Sequence, residues 1–164
     1  FTRASVGNVH AIAHQLGGLY HTPHGLANAI MLVPVLRFCS AASQAKLAAL
    51  AVRAGVARAS EPEARRAQKF IDSVAAMNRA MAIPRELAAL REPDIPALAK
   101  AACWEADTNY PVPRRMSQAD AEALLRSVLP SAVQAPVHKA VRQVRKPAAK
   151  SAKPAARRRH RQPA

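Results

Sequence analysis

Acidic residues are missing from both ends of this 164-residue sequence: none precedes Glu61, and none occurs in residues 131–164, where ten Lys or Arg crowd together. The formal net charge of +15 therefore belongs mainly to a tail, because the first 130 residues set fifteen basic against ten acidic side chains. That split excludes a uniformly basic domain built to hold nucleic acid. Aromatic residues are scarce, at 4%. Strand-rich folds lean on aromatic and β-branched side chains, so an Ala- and Leu-filled helical core is expected instead. Cys39 and Cys103 are the two cysteines and form no CxxC pair, which excludes a disulfide framework and a zinc knuckle and suits a reducing, cytoplasmic compartment. The five glycines include no GxGxxG, so no dinucleotide fingerprint is present. The longest apolar run, AIMLVPVL, contains Pro34 and is about half as long as a membrane-spanning helix requires. The opening FTRASVGNVHAIAH has polar residues where a secretory leader would be apolar. It also lacks an initiator Met and reads as the middle of a longer protein.

What is present reads as a succession of helices. Residues 4–16 suit a helix that Gly17-Gly18 is expected to end. A second helix, LANAIMLVPVLRF, is apolar nearly all round, which marks a buried element that Pro34 should bend or end. Residues 42–56 form a third, with Leu47, Leu50, Ala51 and Val52 as its apolar face and Gly55 at its end. Ser60 to Glu63 combine a capping serine, an early proline and first-turn acids. The helix they open carries a stripe of Phe70, Val74, Met77 and Met81, widened by Ile71. Residues 84–96 hold a short helix and a turn, and Asp94 is placed to cap IPALAKAACWEA, where Trp104 reads as a packing residue. TNYPVPRRM is a loop, and Ser117 to Asp120 have the form of a capping box before AEALLRSVL. No segment reads as a strand.

Four of the six histidines fall in GNVHAIAHQLGGLYHTPHG. His10 and His14 are four residues apart, which on a helix places their Cβ atoms roughly 5–6 Å apart on one face. A chain that turns at Gly17-Gly18 and Pro23 can bring His24 back to that face, so that three imidazoles converge on one point. Imidazole suits Zn, Fe, Ni or Cu. A catalytic divalent ion takes three or four protein ligands and keeps an open position. With Glu61 the first acid in the chain, either later acids fold back or further ligands lie outside this sequence. The spacing is equally compatible with satisfied core or surface histidines.

The segment GNVHAIAHQLGGLYHTPHGLANAIML resembles the signature of the iron-containing alcohol dehydrogenases without a gap. The likeness implies an all-α fold, the helical C-terminal domain of a dehydroquinate synthase-like, iron-containing alcohol dehydrogenase, without its N-terminal α/β domain. It implies that His10 and His24 are metal ligands, that His14 is a catalytic neighbour beside nicotinamide and substrate, and that His21 occupies a variable position. The resemblance runs on through AMAIPRELAAL, like the family's GIP-containing loop. It ends in AACWEADTNYPVPRRMSQADAEALL, like its last two helices, and puts Cys103, Thr108, Asn109 and Arg114 on the cleft wall. Where the family reads LLPH, this chain reads MLVPVL. The family's other two ligands, an Asp and a His, precede the matching segment, as does the α/β domain that binds NAD or NADP.

Two units are therefore expected: a helical metal-binding domain over 1–129, and a basic tail over 130–164 whose Lys, Pro and Ala cannot offset the entropy of ordering. The expected activity is hydride transfer between a small alcohol or aldehyde and NAD(P), with a divalent metal, iron or zinc. The isolated chain is expected to be inactive, and a homo-oligomer and the absence of a membrane are expected partners of that reading. The alternatives are non-specific polyanion binding by Lys139 to Arg161, a purely structural helical module, or a tail translated out of frame.

Overall fold

A computed structural model describes residues 5–131. Among them are six α-helices, one 3₁₀ turn and no strand, in agreement with an all-α domain. The helices are α1 (Asn8–Tyr20), α2 (His24–Cys39), α3 (Gln44–Arg53), α4 (Glu63–Ala80), α5 (Ile95–Asn109) and α6 (Gln118–Arg126), with the 3₁₀ turn at Glu92–Asp94. The basic tail from residue 132 lies outside the described residues.

α2 sits at the centre because both of its faces have something to cover. Ala27, Ile30, Met31 and Val35 join α1, α5 and α6 in the main core, with Ile12, Leu16, Ile95 and Leu125. Val33 and Leu36 pack instead against a second cluster of Leu47, Ala48, Ala67 and Ile71, held between α3 and α4. This explains the apolarity of α2 around its whole circumference. It also explains why Pro34 lies inside the helix rather than ending it. The proline removes one backbone hydrogen bond, but contacts on both sides of the helix outweigh that loss.

Gly17 and Gly18 do not terminate α1, which runs through them to Tyr20. Its last turn is anchored from a distance: Tyr20 donates its hydroxyl proton to Asp94 at 2.6 Å and accepts from the Arg91 amide at 3.3 Å. The helix stops at His21, whose φ of 54° is left-handed, the conformation a glycine adopts without strain. Asp94 is consequently unavailable as a cap for α5, and its carboxylate also accepts from Arg91 Nε at 3.0 Å.

Elsewhere local signals were partly overruled. Within 84–96, residues 84–91 form turns, tied to the end of α6 by Leu87 N donating to Val128 O at 2.8 Å, and the short helix is the 3₁₀ turn at Glu92–Asp94. Ser60 caps nothing; Glu61 accepts from the Arg58 amide and pairs with Lys69, and α4 starts after Pro62. Of the stripe on α4, Ile71 and Val74 are buried, whereas Met77 and Met81 are exposed. Leu50 is exposed too, its expected place on the buried face of α3 being taken by Ala48. The capping box of α6 forms as read: Asp120 N donates to Ser117 Oγ at 3.1 Å and Ser117 N to Asp120 Oδ2 at 3.0 Å.

Ile12 is fully buried at the centre of the main core. Its truncation in Ile12→Ala should lower the unfolding free energy by about 3 kcal/mol, counting lost transfer energy and the cavity left behind. Urea titration followed by circular dichroism reads this as a lower midpoint with an unchanged slope.

Candidate metal and substrate site

Three imidazoles come together at one end of the α1–α2 pair. His10 and His14 share a face of α1, and the reversal at His21–Pro23 brings back His24, the first residue of α2. Ring centres are 5.7 Å apart for His10–His14 and 5.3 Å apart for both His10–His24 and His14–His24. His21 serves as the left-handed end of α1, exposed to solvent.

The three rings do not aim at a single point. His14 stacks nearly parallel to His24, at 25°, and stands edge-on to His10, at 78°. Among the described residues no three His, Cys, Asp or Glu side chains are arranged to hold one ion. The three rings thus cluster without forming a three-ligand site, and the His10–His24 and His14–His24 separations are equal at 5.3 Å. His10 and His24 are tilted at 53°, and two imidazoles sharing a tetrahedral ion at about 2.1 Å from each nitrogen would have ring centres roughly 5 Å apart. His10 is suited to donate an electron pair, because burial, helped by the nearby His24 and His14, lowers its pKa against an opposing pull from Glu105. The donor set thus fits two ligands of a divalent ion. At His24 the amide of Asn28 lies against the ring, with Nδ2 3.1 Å from Nε2 and 2.8 Å from the backbone oxygen of His24, and Asn28 Oδ1 finds no partner.

The acid that folds back is Glu105, from α5, and its hydrogen bond goes to His14 rather than to His10 or His24. Its Oε1 lies 2.6 Å from His14 Nδ1 and accepts from the Tyr110 hydroxyl at 2.5 Å; its Oε2 accepts from Gln15 Nε2 at 2.7 Å. Glu105, Gln15, Tyr110 and Asn28 were not singled out from the sequence. Gln15 next to His14, and Asn28 one turn after His24, were legible as helix neighbours; Glu105, 91 residues from His14, was not.

The residues expected on a cleft wall divide. Cys103 is half-buried against the main core, and burial raises its pKa. Thr108 and Asn109 are exposed at the end of α5. Arg114 lies 3.9 Å over the Phe38 ring, donates to Phe38 O at 3.0 Å and reaches Asp120 at 3.5 Å. Trp104 does not pack; it is 69% exposed. A groove of about 560 Å³, lined mainly by apolar residues such as Val9, Leu32, Leu36 and Pro113, opens beside His10 and Asn28.

Comparison with known proteins agrees with this helical frame. Residues 1–129 match the C-terminal region of the Fe-containing alcohol dehydrogenase family, and the chain belongs to that family. It is 34% identical over 128 residues to 1,3-propanediol dehydrogenase of Klebsiella pneumoniae, covering 77% of this chain and 33% of that protein. It is 42% identical over 106 residues to lactaldehyde reductase of Escherichia coli K12, covering 62% and 27% respectively. The crystal structure of a 1,3-propanediol oxidoreductase superposes with a TM-score of 0.70 at 34% identity, over 76% of this chain and 33% of that one. The chain thus spans about a third of the length of these relatives.

Tyr110 gives the site a titration signature. Its hydrogen bond to Glu105, then burial, then the carboxylate charge push its pKa up to about 12, from the usual value of about 10. A folded-state value above the unfolded one means a contribution to stability that is complete below about pH 10 and lost as pH rises toward 12. Absorbance titration of phenolate in a Tyr20→Phe background, which leaves Tyr110 as the single tyrosine, should show the raised value. In Glu105→Gln it should fall back toward that of a free tyrosine.

Proposed function

We propose that this chain is the helical, substrate-facing portion of a metal-dependent alcohol dehydrogenase that moves a hydride between a small alcohol or aldehyde and NAD(P). The observation that carries the reading is the approach of His10 and His24 to a ring separation of 5.3 Å beside His14, in a chain whose residues 1–129 match that family. His10 and His24 would hold the ion through ring nitrogens. When bound, a divalent ion supplies Lewis acidity toward an alcohol or carbonyl oxygen. His14 is the proton-handling group: it belongs to neither helix-end ligand position, and an imidazole can accept and return a proton near neutrality. Asn28 orients His24 through its amide, and the Glu105 cluster holds the α5 side of the site against α1. The names of the relatives support a substrate with a short carbon chain bearing a hydroxyl or aldehyde group.

The coenzyme falls to an α/β unit outside this sequence, in keeping with the absence of GxGxxG. Residues 1–129 form the metal-binding unit in this reading, and the segment from 130 is a separate tail with a basic sequence.

Equilibrium dialysis of the 164-residue chain against Co²⁺ or Zn²⁺ should show weak binding, with a dissociation constant in the micromolar range or above, as expected of a site with two imidazole ligands. His10→Ala combined with His24→Ala should abolish it, while His21→Ala should leave it unchanged. Equal binding by wild type and the double variant would leave the helical module without a metal role. Separately, the purified chain loaded with metal and supplied with NAD(P) and 1,2- or 1,3-propanediol should give no turnover above background. Robust coenzyme reduction would overturn the assignment of the nucleotide site to another unit.

A further inference from the structure

Resting on the reading of His14 as the proton-handling group, we propose that Glu105 is its positioning residue. It fixes the imidazole as the Nδ1–H tautomer and leaves Nε2 as the free acceptor.

The carboxylate lies 2.6 Å from Nδ1 of His14 through Oε1. An ionised carboxylate only accepts hydrogen bonds, so the shared proton must sit on Nδ1 when the ring is neutral. The opposite nitrogen, Nε2, then carries the lone pair. The carboxylate cannot turn away from this task, because Gln15 Nε2 holds Oε2 at 2.7 Å and the Tyr110 hydroxyl donates to Oε1 at 2.5 Å. Glu105 is largely shielded whereas the His14 side chain is 40% exposed.

The test needs neither metal nor substrate. In the ¹⁵N-labelled 164-residue chain, freed of metal with chelator and held at about pH 8, above the ordinary imidazole pKa of about 6.5, two-bond ¹H–¹⁵N correlation reports which ring nitrogen carries the proton. His14 should be predominantly Nδ1–H. In Glu105→Ala the ratio should shift toward Nε2–H, the form a free imidazole favours, by roughly tenfold, as loss of a charge-assisted hydrogen bond implies. Gln15→Ala removes the clip between α1 and α5 but keeps the Glu105–His14 contact, so its His14 tautomer should match wild type. A role confined to joining the helices would instead make both variants alike. If Glu105→Ala loses its helical circular dichroism, Glu105→Gln takes its place, with a smaller shift in the same direction. An Nε2–H tautomer in the wild-type chain, or a ratio unmoved by changing Glu105, overturns the proposal. Because metal is excluded, failure of the dialysis experiment on His10 and His24 leaves this result standing, and the converse also holds.

Discussion

The reversal between α1 and α2 takes three residues, His21 to Pro23, and the positions of all three imidazoles depend on it. So short a connection keeps the start of α2 near α1, and the His24 ring reaches those of His10 and His14 at 5.3 Å from each. The left-handed His21 makes the turn possible at a modest cost in backbone energy. That cost is offset by anchoring the preceding residue: Tyr20 is tied to Asp94 and Arg91, on the far side of the chain. Were α1 to end two residues earlier, His24 would emerge at a different angle and its ring would not stand 5.3 Å from that of His10.

What could be seen in the sequence and what could not follows the range of the interactions. The Ser117–Asp120 box is closed within four residues and formed as read. The four-residue spacing of His10 and His14 placed both rings on one face of α1. Gly17-Gly18 were misjudged because the force that carries α1 past them comes from residues 91 and 94. Pro34 does not end α2, since packing from other helices sustains it on both sides. Met77, Met81 and Trp104 have the size and polarity of core residues yet are exposed; composition alone does not reveal that a face has no neighbour. Glu105 was hidden because nothing near it in sequence marks a carboxylate that will meet an imidazole from another helix.

Two clusters of apolar side chains share one helix, and the division has a bearing on the site. The main core joins α1, α2, α5 and α6, the elements that carry His10, His14, His24 and Glu105. The smaller cluster, centred on α3 and α4, touches the rest mainly through Val33 and Leu36 of α2. The smaller unit also reaches the His10 side directly, because Leu47 lines the groove beside His10 and Asn28.

Asn8, the first residue of α1, is buried, and its side-chain amide donates to Arg114 O at 3.0 Å and lies 3.7 Å from Cys39 Sγ. A polar group taken out of water needs those partners, and one of them arrives 106 residues later. The contact of His14 with Glu105 likewise spans 91 residues. Closing chain segments of that length costs more entropy than forming a local turn. The helix that begins the described chain is thus held, at its first residue and on its His14 face, by the segment from α5 to the start of α6.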